Sequence, residues 1–216
     1  MEVEPASLSI PDRYKLLIGG IVPRPIAFVS TISPGGLPNL APFSFFSGIG
    51  SNPMTLLFCP ANHPDGREKD SLRNAEFTER GGVGEFVVNV ATEEYARQVA
   101  AASEVLPYGE SEFDLVGLTQ TPSVRVRPPR VLESPVAFEC RTREILRLNP
   151  GGDRGGNIVV GEVVHLYVRD DLINDRYHID PEKLRAIGRM GGPVYTRTRD
   201  RFEMPMSRDA LNLPAP

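Results

Sequence analysis

The triplet Lys69-Asp70-Ser71 sets an ammonium, a carboxylate and a hydroxyl side by side just before an apolar-periodic stretch. One full charge, a hydroxyl and the free N–H groups of a helix's first turn make a compact site for an anion such as a phosphate. Read locally, the same triplet is a solvated helix cap with Asp70 or Ser71 as the capping residue. Upstream, Arg24 and the Ser30-Thr31 pair supply further donors for such an anion if the fold brings them together. Between these lies a segment running from Arg24 to Ser47 in which Ser30, Thr31, Asn39, Ser44 and Ser47 occupy positions where packing alone favours valine or isoleucine. A buried hydroxyl or amide needs a partner, which is either nearby backbone in a plain hairpin or a bound polar ligand.

Other chemistries have little support in the chain. Neither GxxxxGK[ST] nor GxGxxG occurs, and the glycine-rich run Gly151–Gly156 lies between two strand candidates, which makes it a hairpin loop and not a phosphate cradle. The histidines His63, His165 and His178 show no HExxH spacing, and no GxSxG accompanies them. Cys59 and Cys140 sit far apart in apolar runs without a Cys-x-x-Cys motif, so they are expected as buried free thiols, and no metal site is expected. A net charge of −4 over 216 residues gives no general attraction to nucleic acid or an acidic membrane. With no signal-peptide pattern and no apolar run of membrane length, a cytoplasmic protein is expected.

The elements that must carry these residues follow from patterning. Pro25–Ile32 is rich in β-branched residues, Pro34-Gly35-Gly36 supplies a turn, and Leu37 onward resumes an apolar run whose Pro38 and Pro42 cannot donate to a ladder. That second strand belongs on an edge, at a bulge or at a strand end, with backbone groups left free for something other than protein. Met54–Cys59 and Glu85–Val90 read as further strands. A short helix is expected from the Lys69–Asn74 region, with Leu72, Ala75 and Phe77 inward and Gly81-Gly82 as its stop. A second helix runs from a Thr92 cap to Ala102 with Tyr95, Val99 and Ala102 at helical spacing.

Val131–Leu148, interrupted at Ser134-Pro135, and Ile158–Val168 form a long hairpin. Its alternation places Phe138, Cys140, Thr142 and Glu144 on one face and Ala137, Glu139, Arg141 and Arg143 on the other. Hairpins with short helices between them predict one mainly β domain over 1–216, an antiparallel barrel or sandwich decorated by helices, with extended terminal arms at 1–15 and 203–216.

In order along the chain, RPIAFVST, NLAPFSFF, KDSLRN and EFVVNV resemble the flavin reductase-like family with an FMN-binding split-barrel fold. SPVAFECR, GEVVHLYV and IGRMGGPVYTRT are similar to the branch allied to the reductase components of two-component monooxygenases. The resemblance, covering about Leu16 to Phe202, implies FMN as cofactor and NADH or NADPH as hydride donor. It implies a homodimer with the pocket completed by the partner subunit, and a monooxygenase or other electron-accepting partner.

By position it implies that Arg24, Ser30 and Thr31 lie near the phosphate and ribityl chain, and that Lys69, Asp70 and Ser71 close the phosphate end. The ring would rest on Asn39, Ala41, Pro42, Phe43 and Ser44. Gly188-Arg189-Met190-Gly191-Gly192 stands where many such reductases have a histidine-proline pair, leaving Arg189, Tyr195 and Arg197 as candidates for flavin or nucleotide contact. No catalytic side chain is needed, because hydride transfer is carried by the cofactors. A tight FMN-binding electron carrier serving a protein partner is the alternative function.

Overall fold

The structure is a computed structural model that describes residues 1–107 and 109–212. Its strands are β1 (Arg24–Pro25), β2 (Ala27–Ile32), β3 (Pro38–Phe43), β4 (Phe46–Ser51), β5 (Met54–Phe58), β6 (Glu85–Val90), β7 (Gln120–Thr121), β8 (Arg130–Val131), β9 (Val136–Arg147), β10 (Asn157–Val168), β11 (Ile187–Arg189) and β12 (Tyr195–Arg197). The helices are short: α1 (Ile10–Gly20), α2 (Asp70–Ala75), α3 (Ala96–Ala101), α4 (Glu112–Val116) and α5 (Pro181–Leu184).

A seven-stranded sheet in the order β3-β2-β6-β9-β10-β5-β4 dominates the molecule, and every pairing in it is antiparallel. The strands at its two ends, β3 and β4, are consecutive in sequence and separated only by Ser44 and Phe45. A linker that short spans roughly 10 Å, so the sheet must curl until its edges meet. The result is an antiparallel split barrel whose seam lies at Ser44-Phe45.

Two apolar clusters fill the molecule. The barrel interior holds Val29, Phe43, Phe58, Phe86, Val88, Cys140 and Val159, and Leu72 and Ala75 of α2 plug into it, one helical turn apart. Phe58 is central, with Phe43 and Phe86 each 5.1 Å from it between ring centroids. On the outer face, Phe28, Leu40, Tyr95, Val99, Ala102 and Phe113 pack between the sheet and the segments of α3 and α4. Strand β2 is therefore covered on both sides, which accounts for its unbroken burial from Ala27 to Thr31.

Several elements differ from the expectations. The N-terminal stretch is not extended to residue 15: Ser9 caps α1 by accepting the N–H of Asp12, and Pro11 occupies its first turn. At the other end Ser207–Asn212 is a short 3-10 helix, and 213–216 lie outside the described residues. Helix α2 ends at Ala75, so Phe77 falls beyond it, half-buried, and Gly81 with φ 89° closes the following 3-10 turn. Its N-cap position is Lys69, without a capping bond, because Asp70 and Ser71 already lie inside the helix.

The β9–β10 hairpin carries the most consequential difference. Its register moves from Glu144 opposite Val160 to Thr142 opposite Gly161, leaving Arg143 as a bulge. One extra residue reverses the alternation beyond it, so Ile145 and not Glu144 joins the face of Phe138 and Cys140. Arg147, two residues further, comes round to that same side. Gly161 at the bulge is required by packing, since a Cβ there would fall on the ring of Phe86. Glu139, on the face shared with Arg141 and Arg143, is fully buried and accepts the backbone N–H groups of Val124 at 2.9 Å and Arg125 at 2.6 Å.

Candidate functional site

A cleft of about 680 Å³ opens between strand β3, the loop leading into α2, and the segment from Ala102 to Glu112. Six of the residues singled out from sequence line it together: Asn39, Ala41, Pro42, Lys69, Asp70 and Ser71.

Lys69 is the cation of its lining that has no side-chain partner among the described residues. The ammonium is half-buried, stands 5.8 Å from the centroid of the Phe43 ring, and makes no hydrogen bond or ion pair among the described residues. Burial therefore lowers its pKa from the ordinary lysine value. The other cations on this wall are engaged: Arg67 Nε bonds Asp65 at 2.6 Å, and Arg73 Nη1 bonds Asp70 at 3.2 Å. The carboxylate of Asp70 is thus held by Arg73 one turn along the helix. A helix of six residues has little dipole, so the lysine and not α2 supplies the field.

Beside Lys69, a ring of small polar groups shapes the cleft floor. The Asn39 amide donates to Ser71 Oγ at 3.0 Å and to Thr31 Oγ1 at 3.2 Å, and Asn74 Nδ2 donates to the same Thr31 oxygen at 3.0 Å. These bonds tie β2 and β3 to α2 and leave the Ser71 hydroxyl proton free to donate, because its oxygen is occupied as acceptor. Thr31 is thus one hydrogen bond behind the cleft surface.

The outer edge of β3 has an unusual polarity. Pro38 and Pro42 stand opposite Ile32 and Phe28, and a proline can occupy only a position whose N–H faces away from the ladder. Leu40 shares that parity. Its N–H is taken by Glu112 Oε2 at 2.9 Å. The edge accordingly offers carbonyl acceptors at Pro38 and Pro42, which line the cleft, and no free donor, which blocks addition of another strand while leaving acceptors for a ligand's N–H. Burial and the nearby Asp70 hold Glu112 above the ordinary carboxylate range, although the Leu40 N–H opposes the shift.

The remaining predicted residues lie elsewhere. Arg24 is 3% exposed, and its guanidinium donates to the carbonyls of Ile18 and Ile21 at 2.6 Å each, to Met190 O at 2.9 Å and to Ser44 Oγ at 3.1 Å. It fastens α1, the barrel seam and the small β1-β11-β12 sheet, with four of its five N–H donors engaged inside the protein. Ser44 is likewise engaged at the seam. Ser30 donates to Pro129 O at 2.5 Å and accepts from Asn89 at 3.2 Å on the face opposite Thr31, as adjacent residues of a strand must. Phe43 points into the barrel core. Arg189 and Tyr195 pair across β11 and β12, the guanidinium 4.4 Å from the ring centroid, and neither lines the cleft.

The sequence reading passed over Glu112, Asn74 and Arg147. Glu112 and Asn74 belong to elements whose docking is set by long-range packing, and their signal was only that of polar residues at partly apolar helix positions. Arg147 was hidden by the bulge.

An antiparallel split barrel with a lysine, unpaired among the described residues, in a cleft beside a proline-marked, donor-free strand edge is the architecture of this chain. Its relatives make the class specific. Residues 19–186 match the family model described as flavin reductase like domain. Nitrilotriacetate monooxygenase component B from Bacillus cereus is 32% identical, with a TM-score of 0.87 over 94% of this chain and 98% of that one. The 2-nitrobenzoate 2-nitroreductase of Pseudomonas fluorescens is 30% identical, with a TM-score of 0.84 over 100% and 99% of the two chains. A Shewanella frigidimarina protein described as a flavin reductase with split barrel domain is 20% identical, with a TM-score of 0.80 over 96% and 100%, and shows the shared fold. The chain belongs to the flavin reductase-like family.

Proposed function

We propose that the protein binds FMN in the cleft beside β3 and α2 and acts as an NADH- or NADPH-dependent flavin reductase. The observation that carries this reading is Lys69, a half-buried cation with no side-chain partner among the described residues, in a cleft whose arginines Arg67 and Arg73 are already paired and whose lining also holds the neutral Asn39 and Ser71. A phosphate fits there: Lys69 would hold its charge, and the Ser71 hydroxyl with the N–H groups at the start of α2 would fix its oxygens. The carbonyls of β3 suit the N–H of a heterocycle laid along the edge. When bound, FMN supplies the hydride-accepting ring, and the chain's own residues bind, orient and limit water.

Two further parts of the proposal have separate support. Leu16, Leu17, Ile21 and Val22 around the end of α1, and Ile49 and Met54 on β4 and β5, stay 40–57% exposed, an apolar surface suited to a homodimer. Similarity to a monooxygenase component B supports a protein that accepts the electrons. Among the described residues no helix is long and apolar enough to cross a membrane.

The test is an absorbance spectrum of the purified protein with FMN before and after anaerobic addition of NADH or NADPH. Bleaching of the flavin band, with steady nucleotide oxidation in air, is expected. Retention of full colour with both nucleotides would overturn the reductase reading. Flavin that then survives gel filtration and reduces an added protein acceptor would favour the electron carrier.

A further inference from the structure

The loop that delivers Lys69 to the cleft is held from behind at two places. Asn62 N donates to Gly155 O at 2.9 Å and Asn157 Nδ2 reaches Pro60 O at 2.8 Å, so residues 60–66 rest on the glycine-rich turn of the β9–β10 hairpin. The second support is Arg147. Its Nε and Nη2 bond Glu68 at 2.6 and 3.2 Å, and Nη2 also bonds Glu76 at 2.8 Å. Those two carboxylates stand immediately before Lys69 and immediately after α2, and Glu68 itself lines the cleft. One guanidinium, aimed inward by the Arg143 bulge, therefore brackets the whole helix and neutralises the acidic residue next to the cleft lysine.

We propose that Arg147 is a positioning and charge-neutralising residue for the phosphate end of the cleft, acting through Glu68 without touching the ligand. This rests on the FMN reading of the cleft. With Arg147 in place, Glu68 is occupied and Lys69 remains available to an anion. Without it, Glu68, adjacent to Lys69 in sequence and lining the same cleft, is left unneutralised to compete for the ammonium and repel a phosphate.

Glu76 is the more buried carboxylate, its side chain 9% exposed, and leaving it unpaired threatens folding. The test therefore compares R147M/E76Q, which leaves only Glu68 unneutralised, with R147M/E76Q/E68Q, which leaves neither. Affinities for FMN and for riboflavin, which lacks the phosphate, are measured by flavin fluorescence titration, with thermal melts confirming folded protein.

R147M/E76Q is expected to lose roughly tenfold of the preference for FMN over riboflavin, while the triple variant regains it to within about threefold. Equal loss of both flavins, an unchanged preference in R147M/E76Q, or failure of the triple variant to recover would each overturn the role of Arg147. Wild-type protein that binds neither flavin, or shows no preference between them, would instead overturn the phosphate reading of the cleft.

Discussion

The carboxylate of Glu112 accepts the N–H of Leu40 at 2.9 Å and thereby caps the donor that lies between Pro38 and Pro42 on the open edge of β3. A side chain from another element finishes what two prolines begin, and the edge becomes an acceptor-only surface facing the cleft. Because burial raises the pKa of Glu112, the folded chain binds this proton more readily than the unfolded one. Its contribution to stability is then present at acid pH and is lost as pH rises from the ordinary carboxylate range through the raised folded value. Glu112→Gln keeps the acceptor and removes the titration. Chemical denaturation of both proteins between about pH 4 and 7 is expected to show the wild type losing stability relative to the variant as pH rises.

Lys69→Ala is expected to weaken FMN binding by about 1.5–3 kcal/mol with little change in fold stability, since it removes a charge-assisted contact and no internal bond. Fluorescence titration checks it, and unchanged affinity would remove Lys69 from the site. The depressed pKa adds a pH signature: affinity falls as pH rises through a value below 10.5. In the ligand-free protein the sign reverses, because charging Lys69 costs the folded state, and stability is recovered as pH climbs from the folded toward the unfolded value.

Arg24→Met is expected to cost about 3 kcal/mol or more, since three carbonyls and the Ser44 hydroxyl lose their donor at the barrel seam. Lysine is no substitute for a fork that reaches four acceptors. Urea denaturation with and without FMN separates the roles. A variant of normal stability that fails only in FMN binding would return Arg24 to the ligand.

Gly66→Ala tests the loop behind Lys69. With φ at 83° and a Cβ that would fall on the carbonyl oxygen of Gly151, this position admits only glycine without movement of the loop. The variant is expected to lose about 1–3 kcal/mol of stability and part of its FMN affinity together. Full retention of both would show that the loop has slack.

Much of the architecture was legible because it rests on local pattern. The β-branched run of β2, the turn at Pro34-Gly35-Gly36, the edge placement demanded by Pro38 and Pro42, and the inward Leu72 and Ala75 of α2 all follow from periodicity and from what proline cannot donate. The motifs, taken in order, also carried the family. Part of the cleft lining was readable for the same reason, since Asn39, Ala41, Pro42, Lys69, Asp70 and Ser71 lie on two short segments that the first hairpin and the plugging helix bring face to face.

What the tertiary structure alone decided is which polar groups are already satisfied and which way each points. Composition cannot distinguish Arg24, whose donors end on three carbonyls from two distant parts of the chain, from Lys69, which ends on none. Nor does pattern announce a single-residue bulge at Arg143, yet that bulge turns Ile145 into the core and Arg147 toward Glu68 and Glu76. The amino-acid sequence by itself determined the strands, the edge and the family, because these depend on neighbours along the chain. Hydrogen-bond satisfaction and side-chain direction depend on neighbours in space, and only the folded barrel supplies those.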